Sequence, residues 1–143
     1  MTALEIARKI RAHLDQMDRV AGERIGGKPS VCRFLTKTGE KCLLGCLIPN
    51  GLYDAAMEEY GFGDLLFNYP ALEPEMVPSD LAKGERDVWI VFACELQQCH
   101  DSSWSDEGTP ETFRASVLAK VRDLIDRQKT GCSFLAAFRE AFA

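Results

Sequence analysis

Six cysteines, two histidines and a block of carboxylates are the residues of this 143-residue chain that could do chemistry. Cys32, Cys42, Cys46, Cys94, Cys99 and His100 are enough soft ligands for a tetrahedral zinc site. Their spacing argues against one. Cys42-x3-Cys46 is loose, no C-x2-C occurs, and Cys94-x4-Cys99 places two thiols on different faces of a helix. A thiol enzyme would need a lowered thiol pKa, a basic histidine and a group to orient it. Cys42 or Cys46 with His100 and Asp101 could fill these roles, but no nucleophile motif surrounds either thiol, and Asp101 is His100's own neighbour. A metal phosphohydrolase built on His100-Asp101 fails on ligand count, because the remaining histidine is His13. Gly26-Gly27-Lys28 and Gly61-Phe62-Gly63 lack phosphate-loop spacing. The residues therefore point to no catalytic set, no metal and no cofactor, with the thiols as interior filling.

The carboxylates are the stronger signal. From Cys42 to Ala82 there are seven (Asp54, Glu58, Glu59, Asp64, Glu73, Glu75, Asp80) and no Lys or Arg. Residues 1–41 carry nine Lys/Arg against five Asp/Glu, so the net charge of −5 is unevenly placed. An acidic total disfavours direct nucleic-acid binding, which depends on neutralising phosphates. Tyr53, Tyr60, Phe62, Phe67, Tyr69 and Met76 lie among the acids. Carboxylates interleaved with aromatics suit an interface with a charged rim, offered to a partner protein with a basic surface. Tyr53, Asp54, Glu58, Glu59, Asp64, Glu73 and Glu75 are the expected partner-binding residues. The same aromatics could instead belong to the core.

These residues must be positioned by a single domain over 1–143, long enough for a core without staples. Thr2-Ala3-Leu4-Glu5 has capping-box spacing, and Ile6, Ile10, Leu14, Met17 and Ala21 make one stripe, predicting a first helix that Gly26-Gly27 ends. His13 lies off that stripe and reads as a surface residue. Val31–Leu35 and Lys41–Leu44 read as the arms of a small hairpin. A short helix is expected within Leu52–Tyr60, a helical turn at 64–68, and an extended connection from Tyr69 to Pro78. Ser79 or Asp80 can cap a buried helix running from Leu81 to Cys99, broken near Gly84 and followed by a polar loop, 100–108. Thr109-Pro110-Glu111 opens another helix with the stripe Phe113, Val117, Val121, Leu124 and Ile125, and a last helix starts at Ser133. The fold expected is α+β and predominantly helical: about five helices around a small β-hairpin. No apolar run is long enough for a membrane span, and the N-terminus lacks a secretory signal, so a cytoplasmic location is expected.

Three ordered patterns carry a resemblance. They are C-x-F followed by G-x-K-C-x-x-G-x-x-I-P (Cys32, Phe34, Gly39, Lys41, Cys42, Gly45, Ile48, Pro49), then Tyr53-Asp54 with Met57-Glu58, then L-Q-x-x-H-D-x-x-W (Leu96, Gln97, His100, Asp101, Trp104). Together, over about residues 32–104, they resemble a family of small phage and bacterial proteins that has no assigned activity. Cys46 and Asn50 depart from the pattern, which has a small residue and an acid there. The resemblance implies a phage or prophage setting, hence the host bacterial cytoplasm. It also implies a non-enzymatic factor that occludes a host protein, such as a nucleic-acid-handling or defence complex (a CRISPR effector among them). A zinc-stabilised binding module and a cysteine-dependent enzyme are the alternatives.

Overall fold

The computed structural model describes residues 1–25, 28–103, 108–128 and 131–143, with backbone alone for 23–25 and 28–32. Helix α1 (Ala3–Leu14) begins as its sequence predicts. Thr2 accepts from the Glu5 backbone N–H, and the Glu5 carboxylate accepts from the Thr2 N–H. It ends at Leu14, earlier than the stripe suggests. Met17, Val20 and Ala21 are still buried, but on irregular backbone that follows the core.

Helix α4 (Arg86–Asp101) starts after a turn in which Gly84 takes φ +85°, and it runs through His100 and Asp101, which were expected in a loop. Neither Ser79 nor Asp80 caps it. Asp80 instead accepts from the Ala3 N–H at 2.8 Å and fixes the start of α1. Helix α5 (Pro110–Arg127) has Thr109 as its cap and Pro110 in its first turn, and it buries Phe113, Val117, Val121, Leu124 and Ile125. Helix α6 (Ser133–Ala141) buries Phe134, Leu135 and Phe138. Its first turn is held by Glu85, which accepts from the Ser133 N–H and hydroxyl.

Between α1 and α4 lie α2 (Phe62–Asn68), α3 (Glu73–Met76) and 3-10 turns at Gly45–Leu47, Ala55–Glu59 and Pro70–Leu72. The helix expected within 52–60 is thus a 3-10 helix. The connection expected to be extended from Tyr69 to Pro78 is largely helical. Pro70 and Pro74 sit in first-turn positions, where a missing N–H costs nothing.

Helix α1 packs on α6, α4 on α5, and α2 on α4. At their centre Trp89, Phe92, Phe134 and Phe138 form a fully buried aromatic cluster. Trp89 meets Phe134 edge-on at 5.4 Å and Phe92 meets Phe138 edge-on at 5.0 Å. Such pairs add about 0.5–1.5 kcal/mol beyond their buried area. The indole N–H donates to the Met76 carbonyl, so the one polar atom of Trp89 is satisfied.

This corrects the expected α+β fold. Among the described residues six α-helices pack on one another, not around a hairpin, and the core is drawn from the helices and their turns. The arms expected at 31–35 and 41–44 do not form a ladder. Leu35 and Lys41 meet in one isolated bridge. A competing acceptor stands in the way: the Glu58 carboxylate takes the Phe34 N–H at 2.8 Å, the donor that would bond the 41–44 arm in the register of this bridge, and also the Leu35 N–H at 3.1 Å. The antiparallel pairing that does occur, β1 (Gly22–Ile25) with β2 (Lys28–Cys32), lies earlier and breaks register between Glu23 and Arg24. Among the described residues no helix is long and apolar enough to cross a membrane.

Candidate functional site

The residues singled out in the sequence converge on the 33–61 segment and its seat against α4. Gly39 turns the chain at φ +86°. Gly45 must lack a side chain, because a β-carbon there would collide with the Phe34 carbonyl. Its N–H donates to the Cys42 sulfur at 3.2 Å, closing the C-x-x-G turn. Glu58 receives Phe34, Leu35 and the Tyr53 hydroxyl, with the Tyr53 bond at 2.5 Å. The Lys41 ammonium donates to Asn50 Oδ1 at 2.8 Å, so an acid at position 50 would make this an ion pair.

Helix α4 supplies the matching side. Gln97, His100 and Asp101 stand three and four residues apart and share one face. Gln97 Oε1 accepts from the Leu44 N–H at 3.1 Å, and its amide donates to Asp101 Oδ1 at 2.8 Å. His100 is fully buried. Its Nε2 accepts from the Ala21 N–H at 3.1 Å, which leaves Nδ1 to donate to Asp101 Oδ1 at 2.7 Å. An aspartate here does orient its own neighbour's ring, against the sequence expectation. His13 is likewise not a surface residue: half-buried, it donates Nε2–H to the Lys41 carbonyl at 2.9 Å. Burial holds its pKa below the ordinary 6.5, partly opposed by that bond. Trp104 lies outside the described residues.

Three of the thiols are poor nucleophiles. Burial pushes Cys42 up, Cys46 up to about 12 and Cys99 up to about 11. Both nitrogens of His100 are engaged, so it offers no base to a thiol. Among the described residues no three His, Cys, Asp or Glu side chains are grouped to hold a metal; the side chain of Cys32 is outside that set.

The expected partner-binding residues separate into two kinds. Glu58 faces inward as an acceptor. Burial, reinforced by the bond to Glu58, raises the Tyr53 phenol to about 12. Glu73 is paired with Arg86 at 2.7 Å, which holds its carboxyl below the usual range. Asp54 is exposed but caps the 3-10 turn through Ala56 N–H. Glu59 and Asp64 are exposed, and Glu75 is half-buried. The interleaved aromatics divide similarly. Phe62 and Met76 are core, Tyr60 and Tyr69 meet edge-on at 6.1 Å against it, and Phe67 on α2 stands 85% exposed. Of the expected partner-binding acids and the interleaved aromatics, Asp54, Glu59, Asp64 and Phe67 are the ones that form the exposed surface of this stretch.

Beside this face, a cleft of about 330 Å³ opens between the 58–62 segment, Arg33-Phe34 and α4. Phe34, Glu58, Gln97 and Asp101, drawn from all three sequence patterns, line it. Sequence reading missed it because ending α4 at Cys99 hid the shared face of Gln97 and Asp101. Comparison with protein-family models, curated proteins and solved structures yields no match.

Proposed function

We propose that the chain is a non-enzymatic protein-binding factor of phage or prophage type, which occludes a host protein through an acidic, aromatic face. Phe67 carries the reading: a phenylalanine 85% exposed, one helical turn from the exposed Asp64, in a stretch with no Lys or Arg. An exposed aromatic gains by burial in a partner, while carboxylates around it speed encounter with a basic surface. Cationic host targets include nucleic-acid-handling and defence complexes, whose phosphate-binding grooves a negative surface can occupy. The raised thiol pKa values of Cys42, Cys46 and Cys99 disfavour the competing thiol-enzyme reading at those positions.

The test is retention of host proteins by the immobilised chain at low and high salt. Wild type should retain a partner in a salt-sensitive manner, and Glu59→Lys with Asp64→Lys should lose it. Glu58 and Glu73 are unsuitable for reversal, because each is bonded within the fold. Equal retention by wild type and the double reversal would discard the acidic-face mechanism.

A further inference from the structure

The cleft between the 58–62 segment and α4 has features that packing alone does not require. Its volume of about 330 Å³ lies at the low end of small-ligand sites, roughly 300–1,000 Å³. Tyr60 and Phe62 give it an aromatic lining, and Glu58 and Asp101 set two carboxylates against one guanidinium, that of Arg33. The balance of charge is negative. Glu58 is spent on Phe34, Leu35 and Tyr53. Asp101 is half spent: Oδ1 takes both His100 and Gln97, while Oδ2 accepts nothing among the described residues, and the side chain is 36% exposed. The Gln98 amide, also on the cleft wall, makes no side-chain hydrogen bond among the described residues.

We propose that this cleft receives an arginine side chain of the partner protein. An apolar stem suits the aromatic lining, and a planar guanidinium can stack on a ring while donating to Asp101 Oδ2 and Gln98 Oε1. A purely apolar ligand would leave the open carboxylate oxygen unpaired, a neutral donor would pair it without matching its charge, and an anion would meet net negative charge. The assignment deepens the protein-binding reading and relies on it for the existence of a partner. It needs none of Asp54, Glu59 or Asp64.

The experiment titrates the folded full chain with N-acetyl-arginine amide, and separately with its uncharged isostere N-acetyl-citrulline amide, following backbone amide shifts by NMR. Saturable shifts at 58–62 and 94–101, with citrulline weaker by about tenfold, are expected. Asp101→Asn should weaken the arginine probe by a similar factor while its Oδ1 still accepts from His100 and Gln97. Gln98→Glu, at an exposed position with no bond to break, should tighten it. Equal binding of both probes, or an affinity that Gln98→Glu does not change, overturns the assignment. Absence of probe binding in a chain whose partner capture is still abolished by reversing Glu59 and Asp64 overturns the cleft alone. Probe binding at the cleft supports it even if that reversal leaves capture unchanged.

Discussion

Glu58 shows how a residue's surroundings override its composition. In the sequence it is one of seven acids in a basic-free stretch. In the fold it anchors the 33–61 segment by accepting from two backbone N–H groups and a phenol. Glu58→Gln should therefore destabilise the chain by about 2–3 kcal/mol, and Tyr53→Phe by about 1 kcal/mol, read from urea midpoints. His13 makes a prediction about pH. Its folded pKa lies below the ordinary 6.5, so the unfolded chain takes up the proton first. The contribution to stability is fully present above about 6.5 and declines as pH falls below it. Urea midpoints measured across that range should drop on acidification, and His13→Gln, which keeps a donor but does not titrate, should flatten the drop. The thiols are testable by alkylation at mildly alkaline pH. Cys42 and Cys46 should react only when the chain is unfolded, because burial disfavours their thiolates.

At the scale of elements, the 33–61 segment holds its shape through fixed points rather than a ladder. Gly45 is the tightest of them. Gly45→Ala should cost at least about 2 kcal/mol, since the new methyl group meets the Phe34 carbonyl and the Cys42 sulfur rather than a flexible side-chain end. The helices were the most legible elements in the sequence. The capping box of α1, the Thr-Pro-Glu start of α5 and the stripe of α5 all stand as read, because caps and 3.6-residue periodicity are local properties. The hairpin was not legible. Val31–Leu35 has strand composition, but Val31 and Cys32 pair backwards with β1, while the Phe34 and Leu35 N–H groups find Glu58, more than twenty residues away. The end of α4 was misplaced for the same kind of reason: His100 and Asp101 look like loop residues until their bonds to Ala21 and Gln97 are seen.

Across the whole molecule, charge and exposed apolar area decide what the surface can do. Phe67→Ser should leave stability within about 0.5 kcal/mol, as expected for a surface position, while reducing capture of a basic partner; denaturation and retention assays on one preparation would separate the two effects. A large loss of stability would return Phe67 to the core. The candidate site was half legible. The acidic stretch could be counted directly, but which carboxylates face outward could not, because Glu58 and Glu73 are claimed by donors brought near through folding. Sequence by itself determined the helix caps, the apolar stripes and the uneven charge, all of which depend on residues within a few positions of one another. Tertiary structure alone decided that Glu58 anchors the segment where a hairpin was expected, that His100 is drawn inside and His13 half-buried, and that three distant patterns line one cleft. Each of those outcomes is a hydrogen bond or a close contact across a long stretch of chain, and no local pattern encodes the partner.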